Sequence, residues 1–239
     1  MVDCHERSLG LQAMNFAGNF IEIGRVDTSD LRSAALDLSD AEWNEDIFRQ
    51  KRYEVHRDTR TVGLVFDPDF RHSHPTRMPM LQRFAPALQP VLEMVAEHYE
   101  GSERGQELIK EYGLGYFIRA TLVKLRAGGS IDEHTDNNFS LVHSHRVHLP
   151  ILTNDQVLFT VGSQTINMEE GALYEINNRR KHSVANRGDT DRIHLIMDFV
   201  LPGEQCCCGS LWHPHTLCSP QACRPTDQKQ IPCFCYPES

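Results

Sequence analysis

Apolar and polar positions alternate differently in the two halves of the chain. In the first half, most apolar residues recur at three- and four-residue intervals, the spacing of one helix face. "GNFIEIGRVD" is an exception; its β-branched and aromatic residues predict a strand. "TSDLRSAALDLSDAEWNED" follows, with Leu31, Ala34, Ala35 and Leu38 at helical spacing and Thr28, Ser29 or Asp30 as the cap. "TRTVGLVFD" predicts another strand. From Pro79 to Tyr99 the pattern is helical, with Pro86 and Pro90 as breaks. "SERGQELIKEYG" predicts a short helix stopped by Gly113.

After Gly115 the runs shorten: "YFIRATLVKLR", "RVHLPIL", "VLFTV", "QTINM", "ALYEI", "HSVAN" and "RIHLIMDFV". Turn signals such as "AGG", "TNDQ", "EEG" and "RGDTD" divide them. Short strands at this spacing predict an antiparallel sandwich or barrel. The chain therefore divides into an N-terminal helix-and-strand region, 1–114, packing its charged helices on a β core, 115–202. The remainder, 203–239, has no period of 2 or 3.6. It holds Cys206, Cys207, Cys208, Cys218, Cys223, Cys233 and Cys235, leaving only Cys4 elsewhere. No paired CxxC spacing appears, so the expectation is a disordered tail, with a small metal module as the alternative. On this reading the fold is complete by Pro202.

Composition narrows the function. A net charge of −9 argues against nucleic acid and anionic membranes, which need clustered Lys and Arg. No apolar run is long enough to span a bilayer, and the N-terminus lacks the pattern of a secretory signal. The expected location is cytoplasmic, and the expected partner is a small-molecule or peptide substrate; the oligomeric state is left open.

The candidate chemistry begins in "DEHTDNN". On an extended backbone, residues i and i+2 share a face, so His134 and Asp136 can reach one metal ion. They supply two ligands of a two-His-one-carboxylate triad, which leaves coordination positions open on Fe(II). His182, at the start of a later strand, can complete it. Farther on, Arg192 shares a face with His194 and Ile196, while Ile193, Leu195 and Met197 form the opposite, core face. A guanidinium turned inward suits a carboxylate. "HRVHLPI" repeats the device, with Arg146 and His148 on one face and Val147 and Leu149 behind. His143 and His145 read as a polar strand edge, with extra ligands as the alternative. Asn177 and Asn178 read as turn residues, or less readily as groups that orient loops around the site.

Together, "HTDNN…HRVHLPI…GALYEINNRRKHSVANRGDTDRIHLIMDF" resembles the aspartyl/asparaginyl β-hydroxylase family of 2-oxoglutarate- and Fe(II)-dependent oxygenases, over roughly residues 115–200. The resemblance implies a mainly β fold with flanking helices around a double-stranded β-helix, the jelly-roll or cupin-like core. It implies His134, Asp136 and His182 as iron ligands and Arg192 on the distal carboxylate of 2-oxoglutarate. Arg146 and His148 would lie toward the other end of that co-substrate, and O2 completes the set. Animal aspartyl/asparaginyl hydroxylase has glycine where this chain has Asp136; in other iron oxygenases a missing carboxylate makes room for a halide, so the full triad here favours hydroxylation over halogenation. The family serine on the distal carboxylate has no clear equivalent; Thr121 and Lys124 are the two candidates, and neither is assigned. The implied reaction hydroxylates an unactivated C–H of an aspartyl or asparaginyl side chain or a free amino acid. The alternatives are proline, a lipid acyl chain, or a metal-binding cupin-like module without turnover.

Overall fold

The computed structural model describes residues 16, 18–45, 53–66, 75–136, 141 and 144–204. Cys4, His143 and the cysteine-rich segment from 205 onward lie outside the described residues.

Two antiparallel sheets face each other. β1 (Phe20–Arg25), β2 (Thr59–Phe66), β3 (Thr76–Arg77), β4 (Tyr116–Leu125), β6 (His145–Leu152), β9 (Ala172–Ile176) and β11 (Arg192–Val200) form the larger one, in the order β1-β9-β6-β11-β4-β2-β3. β5 (Ser130–His134), β7 (Val157–Val161), β8 (Gln164–Ile166) and β10 (His182–Asn186) form the smaller one, in the order β5-β10-β7-β8. This is the predicted mainly β, cupin-like architecture. Strands from before residue 115 extend the large sheet on both sides.

Helices cover the outer face of the large sheet. α1 (Ser29–Leu36), α3 (Leu81–Glu100) and α4 (Glu103–Tyr112) bury Leu31, Phe84, Leu88, Val91, Val95 and Leu108 against Leu122, Val147, Leu149, Leu195 and Met197. Each such side chain contributes about 1.5–3 kcal/mol by leaving water. Strand parity does the sorting: Leu195 and Met197 face the helices, as predicted, and their neighbours in sequence face the other sheet. The space between the sheets is filled at one end by Leu125, Ile131, Phe159, Val161, Tyr174 and Val184. The same space also holds a group of polar and charged side chains, among them Arg146, His148, His182, Arg192, His194 and Asp198.

Two local expectations need correction. The stretch predicted as one helix is two, because Ser39 starts a new one. Its hydroxyl accepts from the Glu42 N–H and the Glu42 carboxylate accepts from the Ser39 N–H, a capping box that begins α2 (Asp40–Trp43). Conversely, Pro86 and Pro90 do not break α3. Both are exposed, while Phe84, Leu88, Val91, Val95 and Tyr99 form the buried face. The carbonyls that lose an intrahelical partner therefore lie on the solvent side, where water serves them. Gly113 ends α4 as predicted, with φ +89°.

Candidate functional site

β5 and β10 pair antiparallel with His134 directly opposite His182. The imidazoles lie 4.3 Å apart, centroid to centroid. Each Nδ1 faces a backbone carbonyl: Asp132 O at 2.8 Å from His134, and Arg180 O at 3.0 Å from His182. A carbonyl only accepts, so Nδ1 carries the proton and Nε2 presents a lone pair. Asp136 follows the end of β5. Its N–H donates to the Asn178 carbonyl, and the Asn178 side chain donates to the Leu141 carbonyl. Asn178 thus ties down the loop that carries Asp136, the role that was the weaker of its two readings. One ligand atom from each of His134, Asp136 and His182 lies within 4.8 Å of the others. Burial lowers the His182 pKa against the opposing pull of Asp136, which keeps the imidazole neutral and able to bind a metal.

Arg146 and Asp198 stand opposite each other on β6 and β11. Arg146 donates from Nε and Nη2 to the two oxygens of Asp198 at 2.8 and 2.9 Å, and from Nη1 to Asp136 at 2.5 Å. Burial alone would lower its pKa; the charges of Asp136 and Asp198 outweigh that and raise it. Arg146 therefore lies in the pocket with its fork committed to carboxylates, one of them in the candidate metal set. Asp198, wholly buried, was not anticipated. Its signal was present in "RIHLIMDF": it has the same parity as Arg192.

Arg192 is 1% exposed, and its environment is the reverse. One N–H donates from Nη2 to His194 Nδ1 at 2.6 Å; Nε and Nη1 have no hydrogen-bond partner. No carboxylate balances the charge among the described residues, so burial pushes its pKa down to about 9. His148 has no partner on either nitrogen, and His194 has none on Nε2. Burial first, and then the charge of Arg192, hold both imidazoles well below their ordinary pKa. Phe159 walls this region, 5.1 Å from His148 and 6.0 Å from the Arg192 guanidinium. A shared cavity takes in His134, His182, Arg146, His148 and Arg192, together with Val123, Ile131 and Ile196. His56 also reaches it, 5.7 Å from His134, from a short 3-10 turn (Glu54–His56) that nothing in the sequence marked.

Of the two substitutes for the missing serine, Lys124 is ruled out. It faces the helices, 4.6 Å from the Trp43 ring. Thr121 lies on the inner face, opposite Ile196. His145 also needs correction: it is neither a ligand nor an exposed edge. It is buried on the helix side, with Nδ1 2.7 Å from Glu175 and Nε2 2.7 Å from Glu204, and it stacks on Tyr99 at 4.0 Å. Burial opposes its charge, but the two carboxylates prevail and raise its pKa to about 10. Glu204 lies beyond the expected end of the fold at Pro202, yet it is buried.

Comparison with known proteins gives a family model that matches part of the chain. Residues 104–202 match the family model described as aspartyl/asparaginyl beta-hydroxylase. The curated proteins yield no match. Among solved structures, the chain is similar to an oxidoreductase of the 2OG-Fe(II) oxygenase family from Burkholderia pseudomallei. The identity is 14% and the TM-score 0.45, over 59% of this chain and 66% of that one, just under two thirds of its length. It is similar at 13% identity and a TM-score of 0.41 to the non-heme monooxygenase ThoJ in a nickel complex, over 84% of this chain and 78% of that one. A cupin domain from Bordetella pertussis is 22% identical with a TM-score of 0.28, over 34% of this chain and 79% of that one. No helix among the described residues is long and apolar enough to cross a membrane. The matched stretch, residues 104–202, carries His134, Asp136, His182, Arg146, His148 and Arg192.

Proposed function

We propose that the chain is a 2-oxoglutarate- and Fe(II)-dependent hydroxylase, with His134, Asp136 and His182 as the iron ligands and Arg192 as the clamp on the distal carboxylate of 2-oxoglutarate. One observation carries the reading. A compact His–Asp–His set, two of whose members line the cavity, lies with a buried guanidinium that has, among the described residues, two unpaired donors and no carboxylate. Two neutral imidazoles and a carboxylate suit Fe(II). A buried charge without a counterion is costly unless an anion arrives to meet it.

Iron, with 2-oxoglutarate and O2, would supply the oxidation that turns an unactivated C–H into C–OH and releases succinate and CO2. The chain's own residues have separable tasks. His134 and His182 offer Nε2 because two backbone carbonyls fix their tautomers. Arg146 holds Asp136 against Asp198, and Asn178 holds the loop behind it. Arg192 supplies charge-assisted hydrogen bonds to a carboxylate. His148, neutral and unpaired, lies between these groups and can meet the nearer end of the co-substrate. Phe159, Val123 and Ile196 exclude water from the ion pair.

The acceptor in this reading is an aspartyl or asparaginyl side chain of a peptide or a free amino acid, with proline or a lipid acyl chain as the alternatives. A metal-binding cupin-like module without turnover is the reading from another class; it leaves Arg192 without a purpose. The test supplies Fe(II), 2-oxoglutarate and O2 with asparaginyl and aspartyl peptides, free amino acids and proline, and measures succinate and product mass. One acceptor should gain a single oxygen atom for each additional succinate. No succinate under any of these conditions would leave the metal-binding module as the better reading.

A further inference from the structure

Buried arginines are ordinarily neutralised by a carboxylate, as Arg146 is here. Arg192 is held by a neutral imidazole instead. We propose that His194 is the positioning residue of the clamp. It accepts one N–H of Arg192 without cancelling its charge, and so fixes the guanidinium while the other donors remain free for the dicarboxylate. The inference rests on the 2-oxoglutarate reading above and deepens it.

Geometry supports each part. Arg192 and His194 are two residues apart on β11 and point to the same face, so no other element needs to move for them to meet. The bond from Arg192 Nη2 to His194 Nδ1 is 2.6 Å long. Because Arg only donates, Nδ1 must be the acceptor and the proton of a neutral ring is on Nε2. His194 is 0% exposed and Val123 is its partner on β4, so water cannot take over its role. Arg192 retains Nε and Nη1 without partners among the described residues; they lie on different edges of the guanidinium, and Nη1 with the second N–H of Nη2 presents the end of the fork to a carboxylate. A carboxylate at position 194 could also accept from Nη2. It would, however, cancel the charge that draws the co-substrate in.

Aspartate and asparagine separate these effects, because they are nearly the same size and both accept. The experiment is anaerobic calorimetry of 2-oxoglutarate binding to the full-length Fe(II)-loaded protein, with thermal melting alongside. The proteins are wild type, His194→Asn, His194→Asp, His194→Leu and Arg192→Met. His194→Asn should bind within roughly threefold of wild type, while His194→Asp and His194→Leu should lose about ten- to a hundredfold, the size of one charge-assisted contact. If His194→Asp does not fold, His194→Asn against His194→Leu decides the matter. A merely structural role would weaken Asn and Asp alike, and that result would overturn the proposal. So would binding that depends on Arg192 but is indifferent to residue 194, while leaving the co-substrate reading intact. Absence of binding in wild type, or full binding in Arg192→Met, would overturn both.

Discussion

His145 and Arg192 are both buried cationic side chains on the large sheet, on β6 and β11, but on opposite faces. His145 faces the helices with both nitrogens bonded to carboxylates. Arg192 faces the other sheet with two donors unbonded and, among the described residues, a neutral imidazole as its only hydrogen-bond partner. The first arrangement is closed: charge, counter-charge and hydrogen bonds are complete without a ligand. The second is open, and it shares its cavity with His134 and His182. Burial alone does not mark a functional residue; burial with unmet bonding capacity does.

That contrast can be broken from either side. The largest effect should come from the open side: His182→Ala should abolish Fe(II) binding, measured as iron retained per chain after desalting, while the melting temperature hardly changes. Next is the closed network. Glu175→Ala leaves the imidazolium short of a partner, and breaking a buried pair costs about 3–5 kcal/mol. Tm should fall by roughly 6–20 °C for a chain of this size, with 2-oxoglutarate affinity unchanged. A chain shortened to residues 1–202 loses Glu204 and should fall in the same direction, whereas residues 1–204 should not.

Arg192→Met should do the opposite. It should raise the 2-oxoglutarate dissociation constant roughly ten- to a hundredfold, with Tm unchanged or slightly higher because an uncompensated charge has been removed. pH acts on the closed network too. The folded protein holds the His145 proton up to about pH 10, against 6.5 for an ordinary imidazole. Its contribution to stability is therefore complete below about pH 6.5 and is lost progressively as pH rises toward 10. Denaturant midpoints of wild type should converge on those of His145→Gln across that window; parallel curves would show that His145 is neutral.

The fold was largely legible because strand parity is a local signal. Each of the seven runs after Gly115 contains a strand, and Arg192/Leu195 and Arg146/Leu149 sort to opposite faces as alternation requires. β5 was not read as a strand because its "SIDEH" has one apolar residue; pairing with β10, not propensity, makes it a strand. α3 survives two prolines because they face water, which no spacing rule declares. At the site, the face carrying His194 was legible, but its bond to Arg192 was not. Asp198, His56 and Glu204 act across long sequence separations, and only the registers of β4, β6 and β11 or the placement of loops bring them into contact. The choice between Thr121 and Lys124 was not legible, because a charged residue near the site in sequence can still face away from it.

The most direct measurement is succinate release from 2-oxoglutarate by the full-length protein under air with Fe(II), compared with His182→Ala. Wild type should release succinate only when iron, 2-oxoglutarate and O2 are all present, and folded His182→Ala should release none above background. Near-normal release by folded His182→Ala would contradict the assignment of the His134–Asp136–His182 set as the iron site.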